Sequence, residues 1–131
     1  MKRVCIDLDG VICTLKQPHE TYADVQLMEG AAEKIKSLRD SGHYIIIQTA
    51  RHMKTCNGNV GQVVTRVGAI TLKWLADNNV VYDEIYFGKP WAQIYIDDNA
   101  LRFKDWNSIS DDGSSFPEYA ENAVKKSNSE L

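Results

Sequence analysis

The run Tyr44-Ile45-Ile46-Ile47 constrains the fold most, because it is a nearly continuous set of aromatic and β-branched side chains. Such a run is typical of a strand that is covered on both faces in a parallel sheet. Neighbouring parallel strands must be joined by a crossover connection, which is usually a helix. The rest of the chain should therefore alternate between strands and helices.

Apolar spacing along the chain predicts this alternation. Short apolar runs predict strands, whereas apolar side chains three and four residues apart predict helices. Strands are predicted at residues 3–8, 43–49, 83–87 and 93–96, with helices at 31–41, 62–78 and 117–126. This order predicts a three-layer α/β/α sandwich around a mostly parallel sheet of the Rossmann type.

Length, charge and cysteine content restrict the class of protein. A chain of 131 residues has the size of one domain, and we expect a single domain over 1–131, with the motifs in 3–102 and a polar tail over 104–131. A net charge of −3 argues against a general nucleic-acid binder. Three cysteines without metal-type spacing favour a reducing cytoplasm. The apolar run after Arg3 is too short for a signal peptide or a membrane span, so we expect no membrane association.

Polar side chains follow every predicted strand. In α/β sheets, ligands bind at the carboxyl ends of the strands, which lie along one edge when the strands are parallel. We therefore expect these polar groups to form one site. The first strand ends in Asp7 and Asp9, the second in Thr49-Ala50-Arg51, the third is followed by Lys89, and the fourth ends in Asp97-Asp98.

The first strand end has the chemistry of a metal and phosphate site. Asp7 and Asp9 alternate at the end of an apolar strand, and Gly10 lets the backbone turn sharply after them. Magnesium is usually held by one or two carboxylates together with substrate phosphate. This segment therefore predicts an oxygen-rich site for Mg²⁺ and a phosphorylated substrate.

These four motifs, in this order, resemble those of the haloacid dehalogenase-like (HAD) superfamily, most of whose members are magnesium-dependent phosphohydrolases. The resemblance covers residues 3–102. A narrower likeness is to small phosphatases of bacterial capsule or surface-polysaccharide biosynthesis. The segments that carry the narrower likeness are Thr49-Ala50-Arg51, Asn57-Gly58-Asn59-Val60-Gly61, Tyr82-Asp83-Glu84-Ile85 and Gly88-Lys89-Pro90-Trp91.

The resemblance implies a role for each catalytic residue. Asp7 would be the nucleophile, and Asp9 would protonate the leaving alcohol and later deprotonate water. Lys89 would balance the charge of Asp7 and of the phosphoryl group. The phosphoryl oxygens would be bound by Thr49, by backbone N–H groups around Leu8, and by the N–H of Ala50.

The resemblance also implies a metal site. Mg²⁺ would be held by Asp7, by the backbone carbonyl of Asp9 and by one carboxylate of the pair Asp97-Asp98. Asp98 is favoured as the direct ligand, with Asp97 orienting either Asp98 or Lys89, although the sequence leaves open which of the two aspartates binds the metal. Arg51 either grips the phosphate or a second anionic group, or forms a structural ion pair.

Many HAD enzymes carry a separate cap domain, and this chain has no room for one. Residues 12–28 and 52–61 are too short to fold as such a domain. The site is therefore expected to be open, which suits a large substrate, or to be completed by a neighbouring subunit of a homo-oligomer.

The leading functional hypothesis is an aspartyl-phosphate phosphomonoesterase that acts on a sugar phosphate or a similar small precursor of surface polysaccharide. A phosphatase of nucleotides or nucleic-acid ends is the alternative, although the acidic chain disfavours polynucleotides. A phospho-receiver domain would place its phosphoacceptor on a central strand and its acidic pair on the first strand, which is not the order found here. A non-catalytic binding protein of the same fold is the remaining alternative.

Overall fold

Three parallel strands form the sheet. In the computed structural model, which describes residues 1–129 and not 130–131, the strands are β1 (Arg3–Asp7), β2 (Tyr44–Thr49) and β3 (Glu84–Phe87). Their order is β1-β2-β3, and both neighbouring pairs are parallel. The predicted parallel α/β arrangement is confirmed for these three strands.

The first two helices lie where the apolar spacing places them, and the C-terminal helix begins three residues later than the predicted start at 117. The first is α1 (Ala31–Asp40), and the second predicted helix consists of α2 (Val60–Val63), a π-helical segment (Val64–Gly68) and α3 (Ala69–Asp77) in succession. The Asn59 side chain accepts a hydrogen bond from the Gln62 N–H at 3.1 Å and so caps the start of α2. A short 3₁₀ helix (Trp106–Ser108) and α4 (Ala120–Ser129) follow β3.

The main core lies on one face of the sheet. Both crossovers, β1–α1–β2 and β2–α3–β3, move in the same direction across the sheet. Right-handed connections then place both crossover helices on the same face. Their buried side chains join the alternate strand residues of that face in one apolar cluster, which includes Ile6, Ile35, Leu38, Ile45, Ile47, Trp74 and Leu75.

Two tryptophans anchor the long connection between β1 and α1 to this core. The Trp74 indole N–H donates to the Val25 carbonyl at 2.9 Å, and the Trp106 indole N–H donates to the Val11 carbonyl at 2.8 Å. Trp74 and Trp106 are both buried. The connection that follows Asp9 is therefore held in place from two directions.

The opposite face of the sheet is far less covered. Cys5 and Tyr86 are exposed on this face, and Ile46 is only half-buried. None of the three belongs to an apolar cluster of the described residues. The α/β class is thus confirmed, whereas the predicted third layer is not, because both crossover helices lie on the other face.

The predicted fourth strand does not form, and this prediction is wrong. Residues 93–96 have no strand structure in the described chain, and the exposed fractions of Ile94 and Ile96 are 73% and 97%. Local contacts replace strand pairing here, since the Tyr95 hydroxyl donates to the Pro90 carbonyl at 2.6 Å. The segment is short, so an apolar alternation alone did not determine its pairing partner.

No helix among residues 1–129 combines the length and the apolar character needed to cross a membrane.

Candidate active site at the strand ends

The carboxyl ends of β1, β2 and β3 bring three of the predicted residues together. Asp7 is the last residue of β1, Thr49 is the last residue of β2, and Lys89 follows β3 by two residues. The Lys89 N–H donates to the Thr49 carbonyl at 3.1 Å, which ties the loop after β3 to the end of β2. The Lys89 ammonium Nζ then lies 3.6 Å from Asp7 Oδ1.

Gly88 makes this loop geometry feasible. Its φ is +106°, a backbone conformation that favours glycine. A Cβ at this position would stand 3.0 Å from Cγ2 of Val60, at the start of α2. The tight packing of the loop against α2 directs the next residue, Lys89, toward Asp7.

Asp7 is partly open and electrostatically coupled to its neighbours. One third of its side chain is exposed, against 15% for Lys89. Burial raises the pKa of the Asp7 carboxyl, Lys89 opposes that rise, and the Asp9 carboxylate adds to it. An accessible carboxylate beside an ammonium is a workable nucleophile toward an anionic electrophile.

Asp9 is held much more firmly than Asp7. Its Oδ2 accepts a hydrogen bond from the Thr49 hydroxyl at 3.2 Å. The Arg51 Nε donates to both of its carboxylate oxygens, at 3.0 and 3.1 Å, and the Arg51 Nη2 lies 3.0 Å from Oδ1. The Asp9 carboxylate is therefore fixed in position and orientation next to Asp7.

The structure places Arg51 against Asp9 rather than in an open cleft. Only 1% of its side chain is exposed. Its Nη1 donates to the Thr71 hydroxyl at 3.0 Å, and the Tyr22 ring centroid lies 4.1 Å from its guanidinium carbon. Of the two roles left open for Arg51, the observed geometry is that of an internal ion pair.

The backbone N–H groups predicted to bind phosphate, around Leu8 and at Ala50, lie in different environments. The Leu8 N–H donates to the Gln48 carbonyl at 3.1 Å, so it continues the β1–β2 pairing. Leu8 itself is fully buried in the core. Ala50 is half-buried at the start of the loop after β2, and its carbonyl accepts from the Met53 N–H at 3.0 Å.

Asp97 and Asp98 are exposed and are not part of this cluster. Asp97 Oδ1 accepts a hydrogen bond from the Asn99 N–H at 2.7 Å, which forms a local turn. Among residues 1–129, no group of three or more His, Cys, Asp and Glu side chains is arranged to hold a metal ion. The donor chemistry that remains, the open Asp7 carboxylate beside Asp9, still suits magnesium shared with phosphate oxygens.

Comparison with known structures places the chain in a family. A crystal structure of a structural-genomics target from Vibrio cholerae is 30% identical in sequence and covers the whole of both chains, with a TM-score of 0.72. The chain belongs to the same family as this Vibrio cholerae protein. The fold described above is therefore shared with that protein over the whole of both matched chains.

A second structural match is weaker and carries no argument about this chain. A chain of the Pnkp1/Rnl/Hen1 complex is 22% identical, with a TM-score of 0.48, over 75% of this chain and 31% of that one. No family model and no curated protein matches the sequence.

Three residues that contact the site in this structure were not predicted from the sequence. Cys13, Tyr22 and Thr71 all contact the Arg51 guanidinium. Burial raises the pKa of the Cys13 thiol to about 12, and the Asp9 carboxylate adds to the rise. Of the three, only Thr71 could have been noticed in the sequence. It is a polar residue on the apolar side of a predicted helix, four positions after Val67 and three before Trp74.

Proposed function

We propose that the chain is a cytoplasmic phosphomonoester hydrolase of the HAD superfamily that acts through an aspartyl phosphate on Asp7. The observation that supports this most is the pairing of an open Asp7 carboxylate with the Lys89 ammonium at 3.6 Å, directly beside an immobilised Asp9. One carboxylate is free to attack and the other is positioned to move a proton. Two adjacent carboxylates in different environments are typical of divided acid–base roles.

The reaction would take two steps. In the first, a bond forms between an Asp7 oxygen and phosphorus, the bond from phosphorus to the leaving oxygen breaks, and the proton of the Asp9 carboxyl goes to that oxygen. In the second, water attacks phosphorus and gives its proton to Asp9, while the bond between Asp7 and phosphorus breaks. Inorganic phosphate leaves, and both carboxyl groups return to their starting states.

Lys89 and Thr49 would stabilise the negative charge of the phosphoryl group during its transfer. The Lys89 ammonium offsets the negative charge that would otherwise repel Asp7 from the phosphoryl oxygens. The Thr49 side chain lies at the same strand edge, although its hydroxyl hydrogen bonds to Asp9 in this structure. It would turn to a phosphoryl oxygen only in the substrate complex.

Magnesium would be held by Asp7 and by the backbone carbonyl of Asp9, together with phosphate oxygens of the substrate. When bound, it would neutralise charge on the phosphoryl oxygens. Asp98, with Asp97 orienting it, would serve as a third protein ligand only if residues 93–98 moved toward the cluster, because both carboxylates are exposed and lie outside it in this structure.

The proposed substrate is a sugar phosphate or a similar small precursor of surface polysaccharide, in keeping with the narrower sequence likeness. Residues 1–129 form no separate cap domain over the site, so a second subunit of a homo-oligomer would complete it. A phosphatase of nucleotides or nucleic-acid ends is the second candidate, although the net charge of −3 disfavours polynucleotides.

A turnover panel tests the proposal. Purified protein would be assayed with aryl phosphates, sugar phosphates, nucleotides and 3′- or 5′-phosphorylated oligonucleotides, with Mg²⁺ and with excess chelator. We expect magnesium-dependent phosphate release that is abolished in Asp7→Asn and retained in Asp77→Asn, a matched change on the exposed face of α3. Turnover that persists in Asp7→Asn would remove the aspartyl-phosphate mechanism, and a folded protein inert toward the whole panel would remove the enzyme.

A further inference from the structure

We propose that Arg51 is a positioning residue that holds the Asp9 carboxylate in line with the leaving oxygen of the substrate. This inference rests on the proposed function, in which Asp9 donates the proton to that oxygen. It assigns Arg51 to proton transfer rather than to phosphate binding.

The guanidinium holds the carboxylate at more than one point. Arg51 Nε lies 3.0 and 3.1 Å from the two Asp9 oxygens, and Arg51 Nη2 lies 3.0 Å from Oδ1. A planar guanidinium that contacts both oxygens fixes the plane of the carboxylate as well as its distance. The Thr49 hydroxyl, 3.2 Å from Oδ2, restricts the same group from a second strand.

Arg51 is in turn held by groups that face it from other elements. Thr71 in α3 accepts from Arg51 Nη1 at 3.0 Å, and its own hydroxyl donates to the Val67 carbonyl at 2.7 Å, which orients its lone pairs. The Tyr22 ring lies against the guanidinium, with 4.1 Å between its centroid and the guanidinium carbon. Cys13 Sγ lies 3.5 Å from Arg51 Nη2.

The Asp9 carboxylate nevertheless keeps an open side. Its side chain is 22% exposed, whereas that of Arg51 is 1% exposed. Cys13 Sγ also lies 3.5 Å from Oδ1, so Arg51, Thr49 and Cys13 together occupy most of the roughly four acceptor directions of the carboxylate. The exposed part of the side chain is the side from which a substrate oxygen would approach. The arrangement can therefore hold Asp9 still without blocking proton transfer.

Phosphate esters with leaving groups of different basicity distinguish a role of Arg51 in positioning Asp9 from a general effect of Arg51 on the stability of the fold. Dinitrophenyl phosphate releases a weakly basic oxygen that needs little proton transfer, whereas phenyl phosphate releases a more basic one. In Arg51→Met, we expect kcat to fall by less than about tenfold on dinitrophenyl phosphate and by about 10² to 10³ on phenyl phosphate, within the range of general acid catalysis. Asp9→Asn should show the same dependence on the leaving group.

Two further variants complete the test. Thr71→Val keeps the Arg51 charge but removes one acceptor of its guanidinium, so it should show a weaker dependence in the same direction, even if Arg51→Met does not fold. Arg66→Met, which removes an exposed arginine in the π-helical segment, should show none.

The outcomes distinguish the two proposals. Equal losses on both esters in Arg51→Met, or no selective loss on phenyl phosphate in Thr71→Val, would overturn the positioning role while leaving the phosphatase intact. Failure of the unchanged, folded protein to release phosphate from these esters and from every other substrate of the panel would overturn both.

Discussion

At the scale of single residues, Asp7 and Asp9 show how neighbouring carboxylates acquire different environments. They are separated by one residue, yet the Asp7 side chain is one-third exposed beside Lys89, and Asp9 is clamped by Arg51 and Thr49. The sequence order of strand ends was sufficient to predict that Asp7, Thr49 and Lys89 meet. The contact between Arg51 and Asp9 could not be read from the sequence, because it depends on side-chain directions after the strands end.

The Lys89 ammonium is predicted to contribute strongly to turnover. Lys89→Met removes the ammonium that lies 3.6 Å from Asp7, and we expect kcat to fall by about 10² to 10³, the typical loss for a charge-stabilising group. Steady-state kinetics on an aryl phosphate would measure it. Lys54→Met is the matched control, because Lys54 lies over the Trp91 ring on the exposed rim, and it should change kcat little. Equal losses in the two variants would argue against a specific role for Lys89.

At the scale of elements, the loop before β3 joins three parts of the fold through one carboxylate. Asp83 Oδ2 accepts from the Ile45 N–H in β2 at 2.8 Å, and Asp83 Oδ1 accepts from Arg39 in α1 at 3.0 Å. The hydrogen bond from the Ile45 N–H lowers the pKa of Asp83, and Arg39 acts in the same direction. The carboxylate form of Asp83 therefore favours the folded state.

This coupling predicts a pH dependence of stability. Because the Asp83 pKa is below its ordinary value of 3.8 in the folded state, its contribution is present above that value and is lost as the pH falls through the folded pKa. Asp83→Asn should lower the melting temperature at neutral pH and reduce the further loss on acidification. Thermal unfolding between neutral and acid pH would measure this, with Asp77→Asn as a control in an exposed pair. A melting profile of Asp83→Asn parallel to that of the unchanged protein would contradict the role of Asp83.

Elements with a long, distinct apolar pattern were predictable from the sequence, whereas the short segment 93–96 was not. The run Tyr44–Thr49 formed a strand because each of its alternate side chains had a neighbour to pack against. Residues 93–96 carry a shorter run of aromatic and β-branched side chains, yet they pair with no strand in the described chain. Strand pairing is decided by partners distant in sequence, which a local pattern does not identify. Asp97 and Asp98 consequently lie outside the cluster that the sequence assigned to them.

At the scale of the whole molecule, the apolar core is concentrated on one side of the sheet. Ile47 is fully buried there, whereas Ile96 is 97% exposed. The prediction of three layers assumed that both faces would be covered alike. The direction of the crossovers explains the difference, since two right-handed connections in the same direction fill the same face.

This asymmetry predicts unequal costs for equal truncations. Ile47→Ala should lower the free energy of unfolding by about 2–5 kcal/mol, because it empties a packed core position. Ile96→Ala should change it by less than about 0.5 kcal/mol, as is typical of surface positions. Denaturant unfolding of both variants would measure the costs. A large cost at Ile96 would mean that residues 93–96 pack as a fourth strand after all.

The central claim, that Asp7 becomes covalently phosphorylated, is tested most directly by trapping the enzyme during turnover. The protein would be mixed with an aryl phosphate and Mg²⁺, quenched in acid, digested and analysed by mass spectrometry. The account predicts one phosphoryl group on the peptide that contains Asp7, and none in Asp7→Asn. A phosphoryl group on a residue other than Asp7, or steady turnover without any trapped phosphoryl enzyme, would contradict it.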